Sequence, residues 1–161
     1  MSYNTVHVES EVPQVRTEEI SRVLENLGLT RGPLSHDDIV RVTLAIATRT
    51  DLYQDLVTGD EASRWLLFRN SSFEVKLLTW VRGQTWDWHD YGASSGAFAV
   101  TSGVLLERHR GDDCVALVSG NFGVGQFGAF GPQYEHHIKH GAGSPAVSIH
   151  VYSPPLSEPT V

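Results

Sequence analysis

Two stretches of the chain concentrate histidine and tyrosine residues that could bind a metal ion. The first, Gly83 to Gly103, starts and ends on glycine and carries His89 and Tyr91. The second, Glu135 to Pro155, carries the remaining candidates, which are His136, His137, His140, His150 and Tyr152. Five of the eight histidines of the chain lie in these two stretches. Neutral imidazole nitrogens bind transition metals, and an imidazole placed in an apolar interior needs a partner. The pattern therefore favours a metal site.

The spacing within these stretches indicates which side chains can act together. Residues two apart in a strand face the same side, so His89 and Tyr91 are predicted to point the same way. The same rule places Ser148, His150 and Tyr152 on one face of a single strand.

The second stretch allows more than one choice of ligand. His136 and His140 share a face of a regular strand but lie roughly 13 Å apart, at about 3.3 Å per residue. One ion could bind both only if the strand bends. His137 faces away, although a shift of one residue in register would exchange it with His136.

Periodicity predicts the elements that position these residues. Residues 1–15 form a polar arm, and apolar spacings of i, i+3, i+4 and i+7 then predict one helix from Thr17 to Gly28 and another from Ser35 to Arg49. Short segments rich in β-forming residues follow, separated by turn residues. They cover residues 65–68, 73–80, 86–91, 97–101, 104–109, 114–118, 124–127, 134–139 and 146–152.

Short strands with frequent turns are typical of a sandwich or a small barrel. We therefore predict a mainly β fold, in which a small jelly-roll barrel over residues 60–155 follows a helical cap over residues 16–58. At 161 residues, the chain is long enough for one domain over residues 1–161.

Composition excludes several classes of function. The net charge of −7 argues against nucleic-acid binding, which depends on Lys and Arg. No window stays apolar for about 18 residues, so no membrane span is expected. The N-terminus lacks the features of a secretory signal, and the single cysteine, Cys114, fits a reducing cytoplasm. We interpret Cys114 as a buried structural thiol, because no neighbour in sequence would lower its pKa. A cytoplasmic protein is predicted.

Two segments resemble a known family. They are LLTWVRGQTWDWHDYGASSGAFAVTSGVLLE, at residues 77–107, and HHIKHGAGSPAVSIHVYSPP, at residues 136–155. Both are similar to the cysteine dioxygenase family of the cupin superfamily, and the likeness covers most of residues 60–155. The resemblance implies a cupin barrel in which three histidines hold a mononuclear non-haem iron(II). It also implies oxidation of a thiol to a sulfinate with O2.

The resemblance assigns roles to individual residues. His89 matches the first metal ligand of the family and His136 matches the third. Ser148, His150 and Tyr152 match an alternating trio whose tyrosine hydroxyl reaches the metal site and whose histidine orients that tyrosine.

An arginine completes the implied site. Arg64 lies where the family places an arginine for the substrate carboxylate, a role that suits the bidentate guanidinium. Arg69 is the competing candidate.

The chain departs from the family pattern at four positions, of which Arg82, in place of a proline that often precedes the motif glycine, matters least. Tyr91 replaces the second histidine ligand, and His140 replaces an asparagine. Gly96 stands where some members carry a cysteine that crosslinks to the tyrosine, so no crosslink is expected on Tyr152.

The exchange of histidine for Tyr91 leaves three interpretations. Tyr91 is itself a ligand, or it lies beside a site with two protein nitrogens, or His140 supplies the third nitrogen. A phenol has a pKa of about 10, so it is a poor ligand unless the metal lowers that value.

These observations predict an enzyme that oxidises a small thiol, L-cysteine first, with O2. We expect iron(II), with nickel or cobalt as alternatives. Two other functions remain open: a specialised-metabolism cupin that converts cysteine by oxidative rearrangement or decarboxylation, for example to a sulfonamide, and a non-catalytic metal-binding cupin. The oligomeric state is not predicted.

Overall fold

The structure is a computed structural model that describes residues 9–59, 61–110 and 117–156. Cys114 lies outside these residues, as do most of the arm predicted over residues 1–15 and the first part of the strand predicted at 114–118.

Two α-helices precede most of the strands, α1 over Gln14–Leu27 and α2 over His36–Ala47. Helix α1 ends at Gly28, which adopts a left-handed conformation with φ of 73°. Helix α2 begins after Ser35, whose hydroxyl accepts a hydrogen bond from the Asp38 N–H. The predicted helical cap is therefore confirmed. Across the three described ranges, no helix is long and apolar enough to cross a membrane.

The strands form one curved sheet in the order β1-β2-β3-β8-β5-β6, with β4 paired to β8 and β7 paired to β5. They are β1 (Ser10–Glu11), β2 (Ser63–Arg69), β3 (Glu74–Trp80), β4 (Thr85–His89), β5 (Ser95–Arg110), β6 (Leu117–Phe122), β7 (Phe127–Phe130) and β8 (His136–Ser153). Two short 3₁₀ helices, Thr50–Leu52 and Gln54–Leu56, connect α2 to β2.

Strands β5 and β8 are longer than the sequence predicted. The segments 97–101 and 104–109 join into β5, and 134–139 and 146–152 join into β8. The β5–β8 register shifts between Val100 and Leu105, where Gly103 has a φ of 73°. A Cβ on Gly103 would collide with the Ala142 carbonyl oxygen. This glycine therefore bends a continuous strand, where the sequence suggested a break.

The two faces of the sheet differ in what covers them. Alternate residues of β3, β5 and β8 face the helices and belong to one apolar cluster with them, which includes Leu77, Ile149 and Leu24. The inward residues form smaller apolar clusters, including Trp80 with Ile138 and Phe98 with Phe130. Buried polar residues share this inner face. The predicted mainly β fold is confirmed, and the barrel interior is where the candidate residues meet.

Candidate metal centre

His89, Tyr91 and His136 converge inside the barrel, and we call them the imidazole–phenol cluster. Strand β4 pairs with β8 so that His89 lies opposite His136, and Tyr91 follows β4 by two residues. The two Nε2 atoms are 3.0 Å apart. The Tyr91 hydroxyl lies 2.8 Å from Nε2 of His89 and 3.1 Å from Nε2 of His136. Two parts of the chain separated by 47 residues thus place three donor atoms in one small triangle.

The outer nitrogen of each imidazole decides what the inner nitrogen can do. Nδ1–H of His89 donates to the Asp87 carbonyl at 2.6 Å, and Nδ1–H of His136 donates to the Glu107 carboxylate at 2.8 Å. With the proton on Nδ1, each ring can direct a lone pair from Nε2 into the triangle. The Tyr91 hydroxyl has one proton for two lone pairs. A cation would satisfy both nitrogens at once.

The dimensions of the triangle fit a metal ion. Adjacent ligands of an octahedral ion lie about 3.0 Å apart when each is about 2.1 Å from the metal. The edges of 2.8, 3.0 and 3.1 Å match that separation. The donor set, two imidazoles and a phenol, therefore fits a transition metal bound on one face.

Burial shapes the protonation of the cluster. It lowers the pKa of His89 to about 4, and the nearby His136 also lowers it, so His89 is neutral near pH 7. Burial raises the pKa of Tyr91 well above its ordinary value. The free protein thus holds His89 as a neutral imidazole, the metal-binding form, beside a protonated Tyr91 phenol.

Glu107 and Tyr134 support the cluster, and neither was predicted as a site residue from the sequence. The Glu107 carboxylate accepts hydrogen bonds from Nδ1–H of His136 and, at 3.0 Å, from the Tyr134 hydroxyl. It lies on β5, and only 6% of its surface is exposed. Such a carboxylate fixes the ring and tautomer of a metal-binding histidine. The spacing of two residues between Tyr134 and His136 could have identified Tyr134 from the sequence. The position of Glu107, in contrast, depends on strand pairing.

Ser148, His150 and Tyr152 form a second polar feature, which we call the Tyr152 row. His150 Nε2 lies 2.7 Å from the Ser148 hydroxyl, and His150 Nδ1 lies 3.2 Å from the Tyr152 hydroxyl. Trp80 Nε1–H donates to Ser148 at 2.9 Å. All three residues of the row are at most 1% exposed.

The indole fixes one hydrogen bond of the row. An indole N–H only donates, so the Ser148 hydroxyl accepts from Trp80. The hydroxyl keeps a proton and a second lone pair, so it can pair with Nε2 of His150 in either tautomer. At the other end of the row, the Tyr152 ring centroid lies 4.7 Å from that of Tyr91. The row therefore ends beside the imidazole–phenol cluster.

The two candidate arginines lie in different places. Arg64 pairs with Leu78 on the inner face, and its Cζ lies 4.8 Å from the centroid of the Trp86 ring, which in turn lies 5.5 Å from the His89 ring. Arg69 lies at the end of β2, where it donates to the Leu156 carbonyl at 3.1 Å. Arg64 is therefore the arginine placed toward the imidazole–phenol cluster.

The other two candidate histidines point elsewhere. His140 shares its face of β8 with His136, but its Nε2 is hydrogen-bonded to the Gly143 carbonyl. The His137 ring packs beside Trp88, with centroids 5.9 Å apart. Neither histidine forms a hydrogen bond to the imidazole–phenol cluster within the described part of the chain.

No protein-family model matches the sequence. No curated protein matches it significantly either. Solved structures do match the fold. The protein TT1209 from Thermus thermophilus aligns with a TM-score of 0.54 at 15% identity, over 63% of this chain and 93% of that one. KdgF from a Halomonas species aligns with a TM-score of 0.52 at 12% identity, over 62% and 90%.

A third matching structure is a cupin. It is an RmlC-like cupin family protein with a double-stranded β-helix fold from Methanocaldococcus jannaschii, with a TM-score of 0.50 at 13% identity, over 59% and 82% of the two chains. The chain has the cupin fold. At this level of identity the likeness concerns the fold, so the chemistry must be argued from the residues inside this cupin barrel.

Gly96 occupies a tight position in the barrel. A Cβ there would lie 2.6 Å from Phe130 and 3.0 Å from the Tyr152 ring. Because a cysteine would clash with Phe130, packing alone accounts for glycine at this position.

A surface cleft of about 730 Å³ reaches the candidate centre. It is lined by Tyr91 and by residues near the ends of β2, β5 and β8, including Arg69, Ser94 and Pro155. Of the imidazole–phenol cluster, Tyr91 borders this cleft. The cleft is therefore a route by which a small molecule could approach.

Proposed function

We propose that this chain is a metal-dependent cupin oxygenase that oxidises the sulfur of a small thiol, foremost L-cysteine, with O2. The proposal rests chiefly on the convergence of two Nε2 lone pairs and a phenol oxygen within 3.1 Å of one another. His89, His136 and Tyr91 would hold the metal, which we expect to be iron(II), with nickel or cobalt as alternatives.

The metal, when bound, would supply the redox chemistry that transfers both atoms of O2 to the thiolate sulfur and so gives a sulfinate. The chain binds and orients the substrate. Arg64 offers a guanidinium for the carboxylate. The Trp86 ring contacts both this guanidinium and the His89 ring. Fixing a small substrate at both ends supplies much of the rate advantage in such a reaction.

Tyr152 would hold a proton beside the reacting atoms. Burial raises its pKa, so the hydroxyl stays protonated near pH 7. His150 Nδ1 lies 3.2 Å from this hydroxyl and orients it. A positioned donor of this kind stabilises negative charge that develops on oxygen.

The second candidate function yields a different oxidation product, and Tyr91 is the residue that favours it. Its oxygen lies as close to both imidazoles as a ligand would. As a phenolate it would add negative charge and favour a more oxidised metal. Such a site could direct cysteine toward oxidative rearrangement or decarboxylation, for example to a sulfonamide.

Oxygen consumption tests the proposal directly. Untagged protein reconstituted in turn with iron(II), nickel(II) and cobalt(II) is supplied with L-cysteine and other small thiols in an oxygen electrode. Mass spectrometry then separates a sulfinate, which is the substrate plus two oxygen atoms, from a product that has lost CO2. Metal binding without O2 uptake for any thiol would overturn the oxygenase and favour a non-catalytic metal-binding cupin.

A further inference from the structure

Lys76 is a buried cation on the inner face of the barrel that the sequence did not single out. It lies in the middle of β3, opposite His150 on β8 and Leu66 on β2. Directly paired residues share a face of the sheet, so the Lys76 side chain lies on the same inner face as the Tyr152 row. The side chain is 11% exposed. A buried ammonium is costly unless a charge pairs with it.

Two carboxylates pair with Lys76, and they differ in how firmly they are held. Glu74 Oε1 is 3.5 Å from Nζ, and this side chain is 1% exposed and also accepts a hydrogen bond from the Leu156 N–H. Glu9 Oε1 is closer, at 2.7 Å, yet its side chain is 30% exposed. That oxygen makes no hydrogen bond of good geometry, so the contact with Lys76 is electrostatic only.

The segment that carries Glu9 is weakly attached. Strand β1 has two residues and pairs in parallel with β2, through Ser10 with Trp65 and Glu11 with Leu66. One further backbone bond, from Val12 to Leu66, has a length of 3.4 Å. A two-residue edge strand is held by few hydrogen bonds. Glu9 can therefore leave Lys76 at a modest cost, whereas Glu74 is fixed within β3.

Arg64 is a second cation on the wall of the barrel that carries Lys76. Arg64 pairs with Leu78, two residues beyond Lys76 on the same inner face. The charges of both side chains lower the pKa of His150, after the larger effect of burial. Both cations therefore act electrostatically on the row that faces the imidazole–phenol cluster.

We propose that Lys76 is a second contact for the substrate carboxylate, beside Arg64, and that Glu9 occupies this contact in the free protein. The inference rests on the proposed function. Exchange of the Glu9 carboxylate for that of the substrate keeps the charge around Lys76 constant, so no buried charge is left unpaired. Lys76 then selects thiols that carry a carboxylate, and Glu9 competes with them.

Binding measured without turnover tests this. Metal-loaded protein is titrated anaerobically with L-cysteine and with cysteamine, which has the same thiol and amine but no carboxylate, by isothermal calorimetry. Lys76→Met should weaken L-cysteine binding about tenfold and leave cysteamine binding unchanged, because one charged contact is lost. Glu9→Gln should tighten L-cysteine binding about threefold or more, because the competing charge is removed.

Glu11→Gln is the matched control, since Glu11 lies on the same short strand but is exposed. It should change neither titration. Misfolding cannot make the Glu9→Gln variant bind L-cysteine more tightly. The test therefore remains valid even if Lys76→Met is unstable. If the wild type binds and oxidises L-cysteine but Glu9→Gln and Lys76→Met leave the preference over cysteamine unchanged, this inference alone is wrong. If the wild type binds neither thiol, the proposed function is wrong and this inference is overturned with it.

Discussion

The Tyr152 row comes from alternate positions of one strand, whereas the imidazole–phenol cluster joins residues 47 positions apart. Both lie on the inner face, and both combine imidazole with phenol. In the row, each polar side-chain atom has a hydrogen-bonding partner within the row or on Trp80. In the cluster, two lone pairs face each other and share one hydroxyl proton.

The difference indicates which polar group needs a ligand. A hydrogen-bonded row that is satisfied internally is stable without any partner. A set of converging acceptors is stabilised by a cation. The two regions should therefore respond differently to the same kinds of substitution.

Loss of an imidazole from the cluster should have the largest effect. His136→Ala removes a donor and should lower metal affinity by more than about 100-fold, beyond what a supporting residue contributes. His137→Ala, the adjacent residue that packs beside Trp88, should bind metal like the wild type. Elemental analysis of untagged protein measures both. Equal metal content in the wild type and His136→Ala would exclude this site.

Removal of one oxygen from each region compares them directly. Tyr91→Phe should lower metal affinity about tenfold or more and abolish the phenolate-to-metal absorption band of the iron(III)-loaded protein. Tyr152→Phe should keep both properties and lose O2 consumption. Visible spectroscopy and metal competition provide the readouts. A band that survives in Tyr91→Phe would place Tyr91 outside the coordination sphere.

The carboxylate behind His136 should have an intermediate effect. Glu107→Gln keeps the shape but weakens the hold on Nδ1–H, and metal affinity should fall about 10-fold to 100-fold. Glu135→Gln is a suitable control, because Glu135 is a partly exposed residue 3.5 Å from Arg110. Competition with a chelator measures the affinities. Unchanged affinity in Glu107→Gln would mean that the ring of His136 is positioned by packing alone.

The smallest effect concerns the pH dependence of the row in metal-free protein. Burial holds the pKa of His150 well below 6.5, so His150 takes up a proton only on unfolding. Its contribution to stability is complete above pH 6.5 and is lost as the pH falls below that value. Between pH 7 and 5.5, the wild type should lose about 1 kcal/mol more unfolding free energy than His150→Gln. Urea denaturation at both values measures this, and equal losses would contradict it.

Much of the fold follows from local sequence signals. The helix boundaries at Gly28 and Ser35 could be predicted because capping depends on neighbouring residues. The breaks predicted within β5 and β8 were wrong, because a glycine that starts a turn and one that bends a paired strand look alike in sequence. Only the partner strand distinguishes them.

For the candidate site, the sequence alone determined which side chains of one strand act together. Alternation is a property of a single backbone, so Ser148, His150 and Tyr152 could be grouped before any partner strand was known. The pairing of Glu107 with His136, the approach of Glu9 to Lys76 and the place of Tyr91 beside both imidazoles were decided only by the tertiary structure. These contacts depend on strand register and on two bent strands, which are set by packing over the whole barrel.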